Sequence, residues 1–154
     1  MTEDIVVGID GSDGAQEALK WALAEAAWRQ VPIRIVHAVD FPVDMAAPYR
    51  YGAFEYSEAP SVDKEKAEVI KRGQGLVESA LEDAGGAPYG VSVEPIVKIG
   101  AAPNLLVEQS RDAALVVVGS RGRGGFAGLL LGSVSQQTVQ HAHCAVTIVP
   151  QASE

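Results

Sequence analysis

The 154-residue chain has a single cysteine, Cys144. No intrachain disulfide can form, which fits a reducing compartment. Aromatic residues are scarce, at 6%, so the apolar weight falls on alanine, valine, leucine and isoleucine. Small aliphatic side chains together with 16 glycines suit helices packed closely on a parallel sheet. No apolar run approaches the ~18 residues of a membrane-spanning helix. No cationic stretch precedes Ile5 and no apolar segment of about 7–15 residues follows it, so no signal peptide is expected and the cytoplasm is the expected location. Positive charge is also short: 12 Lys and Arg against 20 Asp and Glu leave a net charge of −8. That balance argues against a general nucleic-acid or anionic-membrane surface. Two further absences are local. There is no Asp or Glu from Ala113 to Ser153, while Arg121 and Arg123 are present, so the C-terminal quarter can host a small anion. No lysine follows Lys98, which rules out the lysine-bearing phosphate loop G-x-x-x-x-G-K-[ST].

Hydrophobic residues make up 47% of the chain, charged residues 21%, and the mean hydropathy is +0.10. These values exclude general disorder, and the length predicts one domain over residues 1–154. Short β-branched runs alternate with helical spacings. Strands are predicted at 4–9, 33–39, 91–99, 115–118 and 145–149, and helices at 14–30, 62–84, 102–111 and 132–142. Pro95 places the third strand at an edge. The stretch 40–60 is irregular and holds five of the nine aromatics between Phe41 and Tyr56, which reads as a lid, an interaction surface, or a loop folded over its own rings. Strand–helix alternation predicts an α/β fold with one doubly wound, parallel, five-stranded sheet and helices on both faces.

Ligands of such sheets bind at the carboxyl ends of the strands, where strand order reverses. Asp10, Gly11 and Ser12 follow the first strand, Ala38, Val39 and Asp40 close the second, and a glycine-rich segment runs from Gly119 to Ser133 after the fourth. Glycines let a backbone come close to a ligand or take φ > 0, and a helix beginning near Ser133 would offer free N–H groups to phosphate. Ser133 and Ser135 add hydroxyl donors. Asp10 reads as a ligand contact or as a cap of the next helix. His37 is expected inside the sheet, bonded to backbone, and Trp21 and Trp28, seven apart, are expected to pack. His141, His143 and Cys144 form H-x-H-C, but a helix-to-strand junction supplies no obvious fourth ligand, so no metal site is expected.

The spacing Gly119-x2-Gly122-x9-Gly132-Ser133 resembles the G-2x-G-9x-G-[ST] nucleotide motif of the universal stress protein family. Ile5-Val6-Val7-Gly8-Ile9-Asp10 is similar to that family's first strand and acidic loop. The likeness continues through Val36-His37-Ala38, Val97-Lys98-Ile99-Gly100 with Ala102-Pro103, and the closing strand. It departs at Ala145, where relatives often carry proline. The resemblance implies a flavodoxin-like fold of the ATP-binding branch, with ATP, with or without Mg²⁺, as ligand. It implies Gly8 and Ala38 at the adenine, Asp10 at the ribose or a phosphate-bound metal, and Gly119, Gly122, Gly132, Ser133 and Ser135 at ribose and phosphates. It further implies a cytoplasmic stress-response sensor or regulator that dimerises through Ala145–Val149. No catalytic residue stands out, so at most weak ATPase activity is expected. Two alternatives stay open: an ATP-using enzyme of the related α/β group, and a nucleotide-independent interaction module.

Overall fold

The computed structural model describes residues 2–41, 62–122 and 130–151. Most of the aromatic stretch, from 42 onward, and Arg123 lie outside the described residues. Five strands are present among the described residues: β1 (Ile5–Gly8), β2 (Ile33–Val39), β3 (Val93–Ile99), β4 (Leu115–Gly119) and β5 (Ala145–Val149). Four helices join them: α1 (Asp13–Arg29), α2 (Val62–Asp83), α3 (Ala102–Ser110) and α4 (Ser133–His141). Every strand pairing is parallel and the order is β3-β2-β1-β4-β5. This is the α/β, doubly wound sheet expected from the alternation. Pro95 sits in an edge strand, where its missing N–H breaks no ladder, and β5 forms the opposite edge.

Side chains alternate across the sheet with period two. Ile5, Val7, Ile33 and Ile35 face α1 and α2 and meet Ala18, Leu19 and Ala22 there. Val6, Val36, Val116 and Val118 face the other way, onto Leu105 and Leu106 of α3. The central strands are therefore buried on both faces, which explains their unbroken apolar runs. No helix among the described residues is long and apolar enough to cross a membrane.

Local chemistry sets where α1 begins and ends. Ser12 is its N-cap, and its Oγ accepts from the Ala15 amide at 3.2 Å. Gln30 closes it in the left-handed region at φ 55°, and Pro32 follows. The expected packing of Trp21 and Trp28 is not found. Both lie on the solvent side, with Trp28 81% exposed, because the small Ala18, Ala22 and Ala26 supply the buried stripe instead. Gly73, buried in the middle of α2, explains a residue that would otherwise weaken a helix. A methyl group there would lie 2.6 Å from Val97 Cγ1 and 2.7 Å from Val39 Cγ1, so α2 rides directly on β2 and β3. His37 is held as expected, with Nδ1 2.9 Å from the Ile9 carbonyl oxygen.

At the opposite end of the sheet, Arg34 is buried under α3. It donates to Gln109 Oε1 at 2.6 Å and Asp112 Oδ1 at 3.0 Å. Its Nε is 3.3 Å from Asp4 Oδ2, close enough for attraction but outside hydrogen-bond alignment. This cluster braces the amino ends of the strands, away from the cavity described next.

Candidate functional site

The switch in strand order between β1 and β4 opens a cavity of about 270 Å³ at the carboxyl ends of the strands. All eight residues singled out from the sequence, Gly8, Asp10, Ala38, Gly119, Gly122, Gly132, Ser133 and Ser135, line it. They come from β1 and its loop, β2, β4 and its loop, and α4. The fold thus brings distant segments into one wall.

One side of the cavity is apolar, made by Val36 and Ala38 of β2, Ala102 and Leu106 of α3, and Gly8. Sequence reading missed Ala102 and Leu106. The signal was present, since the two are four apart on a helix that starts directly after β3, hence on one face. A side chain at Gly8 would begin 2.9 Å from Leu106 Cδ1, so this glycine lets α3 close over β1.

The other side is polar. Asp10 Oδ1 accepts from the Ser12 amide at 2.9 Å, a turn that aims the chain into α1, and Gly11 between them takes φ 85°. Asp10 also abuts Gly122, because a Cβ placed on Gly122 would press into Asp10 Oδ2. Gly119 faces the Gly14 carbonyl oxygen, 2.9 Å from where its Cβ would stand. The exit of β4 therefore crosses the first turn of α1 at backbone distance. Arg121 is the one cationic residue among the described lining residues, and Gln136, another lining residue not foreseen, lies one turn beyond Ser133 on α4.

Of the two uses of glycine, close approach and φ > 0, Gly132 serves the first, since it is extended, at φ −73° and ψ 171°. It is the N-cap of α4 and brings no side chain, so no side-chain oxygen caps the first turn and N–H groups are left facing the cavity. Ser135 lines the cavity but is 2% exposed. Its Oγ lies 3.1 Å from the Ser120 carbonyl oxygen and 3.0 Å from that of Gly132, so its one proton is engaged by backbone. Among the described residues no group of three or more His, Cys, Asp or Glu could hold a metal ion, and His141 and His143 are exposed at the end of α4.

Comparison with known proteins gives a consistent answer. The model of the universal stress protein family matches residues 1–150. A universal stress protein of Mycobacterium tuberculosis is 40% identical over 147 residues, an alignment taking in 94% of this chain and 46% of that protein. The chain thus spans about half the length of the curated relatives it matches. Among solved structures, the universal stress protein UspA from Lactobacillus plantarum superposes with a TM-score of 0.72 at 18% identity, covering 96% of this chain and 97% of that one. A universal stress protein solved in complex with cAMP superposes with a TM-score of 0.59 at 25% identity over 98% of both chains. With the family model matched across nearly the full length and the fold reproduced, the chain belongs to the universal stress protein family.

Proposed function

We propose that this chain binds an adenine nucleotide, ATP first among them, in the cavity between β1 and β4, and that it acts as a cytoplasmic stress-response sensor or regulator. The observation that carries the reading is the convergence of eight residues from separate segments on one cavity with an apolar side and a polar side. The adenine ring would lie against Ala38, Val36, Gly8 and Leu106, and the ribose would meet Asp10. The phosphates would meet Gly119, Gly122, Gly132 and Ser133.

The residues present fit a polyphosphate. The first turn of α4 has no side-chain cap, so its N–H groups and the positive end of its dipole can serve an anion. Arg121 adds charge, and among the described residues no acid other than Asp10 lines the cavity. Mg²⁺, if it arrives with ATP, would neutralise phosphate charge, and Asp10 is the one carboxylate among the described lining residues able to support it. A solved relative bound to cAMP supports an adenine ligand. Binding is the activity proposed, since among the described residues the lining supplies no lysine and one carboxylate. The edge position of β5 supports a homodimer that pairs this strand with its copy.

Calorimetric titration with ATP, AMP, cAMP and GTP tests the reading, with mass spectrometry of nucleotide carried through purification. Adenine nucleotides should bind and GTP should bind more weakly. No heat and no thermal stabilisation at millimolar ATP overturns it.

A further inference from the structure

Ser120 does not line the cavity, yet the bonds that shape one wall of it converge there. The residue is 9% exposed and sits where β4, β5 and α4 meet. Its amide donates to the Val149 carbonyl oxygen at 2.9 Å, and its own carbonyl oxygen accepts from the Gly132 amide at 2.7 Å. The same carbonyl faces Ser135 Oγ at 3.1 Å. Its Oγ accepts from the Gln151 amide at 3.3 Å. The two ends of the glycine-rich segment are therefore stitched together at Ser120. A Cβ on Gly132 would stand 3.4 Å from Arg121 Cα and 3.5 Å from the Gly122 nitrogen, which places the two ends in van der Waals contact.

We infer that Ser120 is a positioning residue of the nucleotide site, and that its side chain ties the phosphate end of the cavity to the segment leaving β5. The inference rests on the nucleotide reading above. Gly122 and Ser133 must hold fixed relative positions for one phosphate chain to touch both. The Ser120–Gly132 bond and the Ser135 hydroxyl hold those ends together, and the Oγ bond to Gln151 holds the pair against the sheet edge. This ordering is present before ligand arrives, so binding need not supply it. The Ser120 hydroxyl acts through the loop and not on the ligand, and its effect belongs to the phosphates rather than to the base.

Ser120→Ala and Gln151→Pro remove the same hydrogen bond from its two ends, one by deleting the acceptor and the other by deleting the amide hydrogen. Each should weaken ATP binding about three- to tenfold, the worth of one hydrogen bond, and leave adenosine binding unchanged. The double variant should lose no more than either single, because coupled residues are not additive. A residue that merely supports the fold would lower the unfolding midpoint without changing the ratio of ATP to adenosine affinity. Unchanged ATP affinity in the single variants, parallel loss of ATP and adenosine, or additive losses in the double variant overturn the inference. Should Ser120→Ala fail to fold, the exposed Gln151→Pro carries the test alone. If the unaltered chain binds no ATP, the nucleotide reading fails, and exchange of the Gly132 amide decides the clasp: faster exchange in both variants upholds it, and unchanged exchange refutes it.

Discussion

Two glycines in α2, Gly73 and Gly75, should answer the same substitution with opposite signs. Alanine at either position gains about 1 kcal/mol of helix propensity, because glycine gives up more backbone freedom on folding. At Gly75 a methyl group meets nothing within 4 Å, so the gain stands, and Gly75→Ala should be stabilised by about 0.5–1 kcal/mol. For a chain of this size that raises Tm by roughly 1–4 °C. At Gly73 the methyl would lie 2.6 Å from Val97 Cγ1, 2.7 Å from Val39 Cγ1 and 3.3 Å from His37 Cδ2. Carbon atoms settle at about 3.5–4.0 Å, and valines on strands have few alternative rotamers. The helix must lift from β2 and β3, an overpacking cost of about 1–3 kcal/mol. Since the propensity gain is common to both variants, that cost is also their expected difference. Urea unfolding of both variants followed by far-ultraviolet circular dichroism measures it, provided the slopes agree. Equal midpoints would show that α2 does not rest on the sheet at Gly73 and would refute the packing argument. Because the crowded His37 ring holds the Ile9 carbonyl, next to Asp10, Gly73→Ala should also weaken ATP binding while Gly75→Ala does not.

Asp10→Ala should cost ATP binding about 1–3 kcal/mol; a loss with and without Mg²⁺ assigns Asp10 to the ribose, a loss with Mg²⁺ alone assigns it to the metal, and no loss leaves it as the acceptor for the Ser12 amide. Arg34→Leu should destabilise by roughly 1–3 kcal/mol, below the cost of fully buried pairs because Asp4 and Asp112 keep contact with water. Asp112→Ala, whose side chain is 64% exposed, should cost under about 1 kcal/mol, and urea midpoints in the reverse order would count against the cluster as a brace. Burial pushes the Cys144 thiol above its ordinary value of 9.0, so at pH 8 iodoacetamide should react more slowly with the folded chain than with the urea-unfolded one, and equal rates would contradict the burial. Stability tied to that thiol holds below pH 9 and is lost as pH rises through the folded value. Light scattering should give twice the chain mass at micromolar concentration and one chain mass for Ile148→Pro, which loses a ladder donor in β5; a monomeric unaltered chain rejects the edge-paired dimer.

Element types and order were legible because their signals are local. Ile5 to Val7 and Leu115 to Val118 are runs that only a two-sided strand explains, and Ser12, Pro32 and Pro103 mark helix ends by chemistry that needs no tertiary partner. Pro95 marks β3 as an edge strand, as the sheet order bears out. The cavity lining was legible where backbone close approach demanded glycine. What escaped depends on partners far away in sequence. Trp21 and Trp28 occupy one helical face, but spacing alone does not say which face turns inward, and the alanine stripe decided it. Gly132 and a left-handed glycine look alike in sequence, although the need at Gly132 is for a missing side chain rather than an unusual φ. Ser135 looks like a ligand donor in sequence because its bonds to the Ser120 and Gly132 carbonyls arise only once the segment ends meet.

Both tryptophans of the chain ride on the solvent side of α1, and this has an optical consequence. Trp28 is 81% exposed in the folded state, so its emission already lies near that of the free amino acid in water. Unfolding can shift only the contribution of the half-covered Trp21. Neutral quenchers should reach Trp28 in the native protein almost as freely as in denaturant. Neither indole lines the cavity, so a bound nucleotide has no indole in the cavity wall to quench. Tryptophan emission is therefore a weak reporter of both folding and ligand binding, and a flat tryptophan trace during either event does not show that it failed to take place.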